Sequence, residues 1–401
     1  MKTLLRSLTA GALALGGLLS VAAVPASAAP KKIITCFRLE NNVVHTHRFR
    51  GACAKGWTKK RPTPNPIASV KVENPGSASL TETGSTLLYP LWNIWAPAYQ
   101  AEFPQVSLTT GGTGSGTGIA DAASGTVNIG SSDAYLSSTQ LSATPNLLNI
   151  PVGISYQMLE YNIPGVTAHL NLSGTVLAGI YTGQITKWND SAITALNPNI
   201  TLPATPIVAL HRSDGSGDTF IFTSYLTKTD STWASKYGYG TTVSWPAISN
   251  SLGENGNGGM VSGCKATVGC IAYVGISYLS SVLGDGQTYA ALQNGDGQFV
   301  LPTVASASAE AAGFQAQTPA NGTISMIDGK IKGGYPIVNY EYAIVNKQQS
   351  SSTVAKAVRS LLEWCIDPSY GQSLQYLGQV NFVTLPTKVI VQSYKQIQSI
   401  Q

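Results

Sequence analysis

Ile207-Val208-Ala209-Leu210-His211-Arg212-Ser213-Asp214-Gly215-Ser216-Gly217-Asp218-Thr219 is the stretch from which the fold can be read. Its apolar start, Ile207 to Leu210, reads as a strand. The Gly/Ser run that follows reads as a turn, and Thr219 to Tyr225 as a helix. The first turn of a helix leaves backbone N–H groups unpaired and carries a partial positive charge, so it can receive an anion. Gly lets a ligand approach the backbone and Ser adds a hydroxyl donor. Arg212 stands at the C-terminal edge of the strand, where α/β sheets place their ligands. Its planar, always charged fork of donors matches tetrahedral oxyanions.

The same strand, turn and helix order recurs along the chain. Thr83-Gly84-Ser85-Thr86 precedes Leu88, Leu91, Trp92, Trp95 and Tyr99, which recur at helical spacing. Val106 to Thr109 leads into Thr113-Gly114-Ser115-Gly116-Thr117-Gly118 and a helix around Ile119 to Ala123. Val354, Val358, Leu361, Leu362 and Cys365 mark another amphipathic helix. There is no fixed-period internal repeat. Short strands alternating with helices predict α/β sheets with helices on their faces. Any one of these turns is explained by an ordinary N-cap, and Arg212 with Asp214 by a surface ion pair. Three such turns together with Arg212 point instead to an anion site.

The residues resemble the phosphate-binding receptor of the bacterial ABC phosphate importer, a type II periplasmic binding protein. The likeness runs from about Ser79 to Val391. It rests on Gly84-Ser85-Thr86, Gly114-Ser115-Gly116, Gly130-Ser131-Ser132-Asp133, Arg212 to Gly217, Ile180 to Trp188 and Phe222 to Leu226. The resemblance implies a two-lobed fold with two hinge crossings, no enzymatic activity, no cofactor and no metal. It also implies a phosphate shell of Thr86, Leu87, Ser115, Asp133, Arg212, Ser216, Gly217 and Asp218, supported by Asp214 and Thr219. Thr86 and Ser115 would each give a hydroxyl and a backbone N–H, Leu87 a backbone N–H, and Arg212 two donors held in place by Asp214. Asp133 would accept the proton of monohydrogen phosphate, which sulfate lacks; a site built around a ligand hydroxyl can reject the analogue without it about 10⁴-fold. A simple turn cap is the competing role for Asp133. The chain departs from the family at Leu87, where Phe is usual, and at Asp218, where Thr is usual. At the second position only the backbone N–H carries over, and Thr219 is the candidate for the missing hydroxyl.

Composition frames this reading. Lys2 and Arg6, the apolar run Leu8 to Val24 and Ala26-Ser27-Ala28 form an export signal over 1–28. No Cys follows it in a lipidation context. The expected setting is therefore secreted or periplasmic, with a soluble mature chain. Residues 29–62 carry nine Lys or Arg against Glu40 alone, whereas 63–401 carry 13 basic and 18 acidic residues. The basic segment reads as a β-hairpin stapled by one disulfide, with Pro62 to Pro66 opening a stiff spacer over 63–76. Lobe one is expected from 77–153 with 336–401, and lobe two from 154–335, with strands at Tyr156 to Asn162 and Ile337 to Val345 carrying the crossings.

Five cysteines in an exported chain suggest disulfides. Cys36 with Cys53 and Cys264 with Cys270 are the pairs nearest in sequence, which leaves Cys365 on an apolar helix face. Zinc at Cys36, His45, His47 and Cys53 is the weaker alternative in an oxidising compartment. The Gly-rich run 111–118 fits neither G-x-G-x-x-G nor a P-loop, and no G-x-S-x-G elbow is present. Three other functions stand against import: a phosphate scavenger or envelope-adhesion protein, a receptor for another oxyanion, and a secreted phosphomonoesterase. The expected partners are inorganic phosphate, the membrane permease of the importer and, through the basic segment, anionic cell-envelope polymers. Nucleic acid is not among them.

Overall fold

The computed structural model describes residues 32–40, 43–62 and 70–401. The stretch read as an export signal, 1–28, lies outside the described residues, as do residues 63–69 of the expected spacer. The chain divides at Asn65/Pro66 into two units, each described by itself.

In the first unit, strands β1 (Ile33–Glu40) and β2 (Val43–Arg50) pair antiparallel, with Cys36 opposite His47. A disulfide joins Cys36 to Cys53. Phe37 and Thr58 exchange backbone hydrogen bonds of 2.8 Å, which lays the following turn back on β1. The rings of His47, Phe49 and Trp57 gather on one side, with Phe49 and Trp57 edge to face at 5.5 Å. A segment this short cannot bury a sizeable core. The cross-link, which spans 17 residues, therefore matters: closing such a loop is worth about 3 kcal/mol.

The second unit is built on a nine-stranded sheet. Its elements in chain order are β3 (Ala78–Gly84), α1 (Tyr89–Glu102), β4 (Val106–Thr109), α2 (Ser115–Ser124), β5 (Ile129–Ser132) and β6 (Leu147–Tyr161). There follow β7 (Val208–Arg212), α3 (Gly217–Thr229), β8 (Ser251–Glu254), α4 (Gly256–Ala266), β9 (Cys270–Gly275) and β10 (Thr288–Tyr289). The chain finishes with β11 (Val338–Asn346), α5 (Ser352–Ile366) and α6 (Thr387–Ile397). The strand order is β4-β3-β5-β11-β6-β9-β7-β8, with β10 also on β6. On one side β3 lies parallel to β4 and β5, and on the other β7 lies parallel to β8 and β9. These two parallel groups are the centres of two lobes.

Strand β6 links them. From Leu147 to Tyr156 it pairs antiparallel with β11, and from Gln157 to Tyr161 with β9. All fifteen of its residues are buried, because both faces are covered. The strand begins nine residues before the expected Tyr156. Pro151 and Gly153 read as breakers in sequence, yet they flank a β-bulge, where the register shifts between Glu341 and Tyr342 of β11. A bulge is where a strand tolerates proline, since the ladder is already interrupted there.

Helix starts also fall earlier than the hydrophobic pattern suggests, at Ser115 and Gly217, because the glycines taken for turn residues form the first helical turns. The remaining expectations for the core hold. Leu91, Trp92, Trp95 and Tyr99 are buried, and Trp95 Nε1 donates to the Gly371 carbonyl at 3.0 Å. Cys264 and Cys270 form the second disulfide, and Cys365 is a buried free thiol in α5. Among the described residues, no helix is long and apolar enough to cross a membrane.

Candidate anion-binding site

The C-terminal ends of β3, β4, β5 and β7 bring the turns that follow them against one another. Gly116 N–H, in α2, donates to the Gly215 carbonyl, which precedes α3, at 2.8 Å. Gly217 packs so closely that a Cβ there would fall 2.3 Å from Asp133 Oδ2 and 2.5 Å from Ser115 Oγ. Gly114 enters α2 with φ 94°, a conformation that favours glycine, and a Cβ on it would meet Asp214 Oδ2 at 2.5 Å. Two further contacts cross between the lobes: Ser277 Oγ donates to the Leu87 carbonyl at 2.7 Å, and Asn257 Nδ2 donates to Thr86 Oγ1 at 3.0 Å.

The residues expected at the site sit around this junction, and their hydrogen bonds leave donors over. Among the described residues, the backbone N–H groups of Thr86, Leu87, Ser115, Gly217 and Asp218 have no protein acceptor, although all five residues are buried. These are orphan donors of helix starts and of the turn before α1. Ser216 caps α3, its Oγ accepting from Thr219 N–H at 3.2 Å. Thr86 Oγ1 accepts from both Asn257 N–H and Asn257 Nδ2, so its own proton stays free to donate. A guanidinium has five N–H donors. Arg212 uses three of them, with Nε and Nη2 on Asp214 at 2.7 and 2.5 Å and Nη1 on Asp218 at 3.2 Å. One donor on each terminal nitrogen remains.

Charge is crowded here. Arg212 is 4% exposed and stays protonated; burial works against its charge, but the hydrogen bond to Asp214 and the charges of Asp218 and Asp214 outweigh that. Asp214 is held below the usual carboxylate range, because bonding to Arg212 outweighs its burial. Burial lifts Asp218 to about 7, with the charge of Asp133 adding to the rise and Arg212 opposing it. Burial likewise raises Asp133, against hydrogen bonds from Glu341, Ser85 and Ser115 and the charge of Arg212. A buried guanidinium with spare donors, set among unpaired backbone N–H groups, suits a small tetrahedral oxyanion. Among the described residues, no group of three His, Cys, Asp or Glu side chains is arranged to hold a metal ion.

Thr219 does not fill the place proposed for it. Its hydroxyl is paired with the Tyr273 hydroxyl at 2.8 Å, and the Tyr273 hydroxyl also accepts from Arg212 N–H at 2.8 Å. Thr219 thus braces Arg212 from behind. The Asp218 carboxylate is bound by Asn257 Nδ2 at 2.6 Å and Gln157 Nε2 at 3.0 Å.

Sequence reasoning missed Asn257, Gln157, Ser85 and Glu341. Asn257 carried a usable signal: Asn255-Gly256-Asn257-Gly258-Gly259 is a fourth Gly-rich run between a strand and a helix. Glu341 carried one too, as an acid inside the apolar run Val338 to Val345. Gln157 has none, because an amide in a strand looks like any polar residue.

Comparison with known proteins places this geometry in context. A model of the PBP superfamily domain matches residues 69–369. The phosphate-binding protein PstS of Xylella fastidiosa (strain Temecula1) is 32% identical over 82% of this chain and 87% of its own length. That of Methanocaldococcus jannaschii is 34% identical over 79% of this chain and 85% of its own. In solved structures the fold is shared with a high-affinity periplasmic phosphate-binding protein bound with phosphate. Its TM-score is 0.61 at 23% identity, over 78% of this chain and 92% of that one. The phosphate-binding protein of Stenotrophomonas maltophilia gives a TM-score of 0.59 at 20% identity over the same shares.

Proposed function

Since the chain belongs to the PBP superfamily and, within it, to the family of PstS phosphate-binding proteins, we propose that it is an exported receptor that closes on one inorganic phosphate and delivers it to an ABC importer. The observation that carries the reading is the convergence of five unpaired, buried backbone donors with two spare guanidinium donors and one acid, Asp133. Buried donors without acceptors cost about 1–3 kcal/mol each, and a bound oxyanion would relieve them. Thr86, Leu87, Ser115 and Asp133 then belong to lobe one (77–153 and 336–401), and Arg212, Ser216, Gly217 and Asp218 to lobe two (154–335). Asp214 orients Arg212, and Thr219 supports it through Tyr273.

Titration calorimetry of phosphate and sulfate tests this reading. Wild type should bind phosphate tightly and sulfate poorly. Asp133→Ala should narrow the difference, and Arg212→Ala should lose most phosphate affinity, because a buried anion then lacks its full positive partner. Equal binding of both anions by wild type would sink the proposal. The rival phosphomonoesterase predicts turnover of a chromogenic phosphate ester, with or without divalent metals; the receptor predicts none.

The basic hairpin supports a second role. Lys32, Arg48, Arg50, Lys55, Lys59, Lys60 and Arg61 are exposed on a cross-linked unit. Such a unit is suited to weak, salt-dependent contact with anionic envelope polymers. Unchanged envelope retention after deletion of 29–62 would remove this role.

A further inference from the structure

Behind Asp133, on the lobe-linking strand β11, lies an acid that the binding shell does not use. Glu341 is 0% exposed and sits at the β-bulge, opposite Gly153. Its Oε1 accepts from Ser155 Oγ, and from Asn339 Nδ2 at 3.0 Å. Its Oε2 is buried with no donor in reach among the described residues. The carboxyl nearest in influence is that of Asp133, and Asn339 Nδ2 brings the two residues into contact, donating to Glu341 Oε1 and also to the Asp133 carbonyl at 3.3 Å.

Two carboxyl groups can be buried side by side only when one of them holds a proton, since two buried like charges repel. Each carboxyl has two donors of its own, Ser85 Oγ and Ser115 Oγ for Asp133, Ser155 Oγ and Asn339 Nδ2 for Glu341, but only Asp133 also feels the charge of Arg212. The proton therefore belongs on Glu341. We propose that Glu341 is a positioning residue that keeps a proton and donates it from Oε2 to Asp133, so that Asp133 meets the ligand as an ionised acceptor and reads the proton on phosphate. This deepens the phosphate-receptor reading and rests on it. Burial and the charge of Asp133 both push Glu341 well above the usual carboxylate range, in keeping with this role.

The groups facing the pair set how it responds to pH. Ser155 approaches from β6, Asn339 from β11, Arg212 from β7 and Asp218 from α3. Only Arg212 is cationic among them. As pH rises and Glu341 ionises, Asp133 loses a donor and gains a like charge beside it. It then holds its own proton more tightly and accepts less well from the ligand. Phosphate affinity should fall on that alkaline limb, where the ligand itself remains the monohydrogen species.

The test compares wild type with E341Q and E341L by phosphate and sulfate titration from slightly acid to strongly alkaline pH. Alongside it, infrared difference spectroscopy of the ligand-free proteins reads the protonated-carboxyl band. E341Q retains a donor that cannot ionise, so its alkaline decline should vanish while its phosphate preference survives. E341L supplies no donor, and the preference for phosphate over sulfate should drop about tenfold or more near neutrality. Wild type should show a protonated-carboxyl band that E341Q lacks. Superimposable pH profiles of wild type and E341Q, or no such band difference, would overturn the proposal. If E341L fails to fold, E341Q and the infrared band still decide. If wild type binds no phosphate at all, the receptor reading fails separately, and the band still reports whether Glu341 holds the proton.

Discussion

Gly217 shows how much can rest on a missing side chain. Its Cα closes against Asp133 and Ser115, and any Cβ would intrude on both. Gly217→Ala should leave each lobe folded while blocking their approach. Overpacking of this kind costs about 1–3 kcal/mol, so phosphate affinity should fall about 10- to 100-fold in a titration, with the melting temperature of the ligand-free protein nearly unchanged. Asp218 is the second informative position, since it stands where the family usually has Thr. Lifted to about 7 chiefly by burial, it is neutral below that pH and charged above it. A charged carboxylate repels a bound anion, whereas the neutral acid does not. The ratio of phosphate affinities, wild type over Asp218→Asn, should therefore decline as pH rises through about 7, by at most about tenfold per pH unit. A flat ratio would mean that Asp218 does not feel the ligand.

Among the elements, β6 separates what the sequence discloses from what it hides. Strand, Gly-rich turn and helix are local signals, so the units that hold Ser115 and Arg212 could be read directly. The pairing of β6 with both β11 and β9 is not local, and its proline sits at a bulge that no window of residues displays. Asn257 lies in a local Gly-rich run that could be read, but its hydrogen bonds to Thr86 and Asp218, made from that fourth turn, span the sequence and could not. Buried in β6, Glu160 has no hydrogen-bond partner for either oxygen among the described residues, and burial raises it from 4.5 to about 8. The native state thus holds a proton that the unfolded chain releases between those values, so the contribution of Glu160 to stability is full below about 4.5 and is lost as pH climbs through about 8. Glu160→Gln should reduce this decline, checked by chemical denaturation at a series of pH values. An unchanged slope would exclude Glu160 as its source.

For the whole molecule, the contacts across the junction describe a closed form. Gly116 meets Gly215, Asn257 meets Thr86, and Ser277 meets Leu87. Without an anion, the unpaired buried N–H donors gathered at the junction oppose this state, so phosphate should favour it through differential binding. Small-angle scattering should show a smaller radius of gyration on adding phosphate to wild type and little change in Arg212→Ala. An identical radius with and without phosphate in wild type would argue that the lobes do not open.

Arg359, in α5, gives the body one more property. Its guanidinium holds Glu73 through Nε and Nη2, at 3.3 and 3.2 Å, and the Ile400 carbonyl through Nη1 at 2.8 Å. The strand of chain arriving from the hairpin and the last turn of the body are thus clasped together at one helix. Both ends of the body depend on the same side chain, so losing that guanidinium should loosen them together.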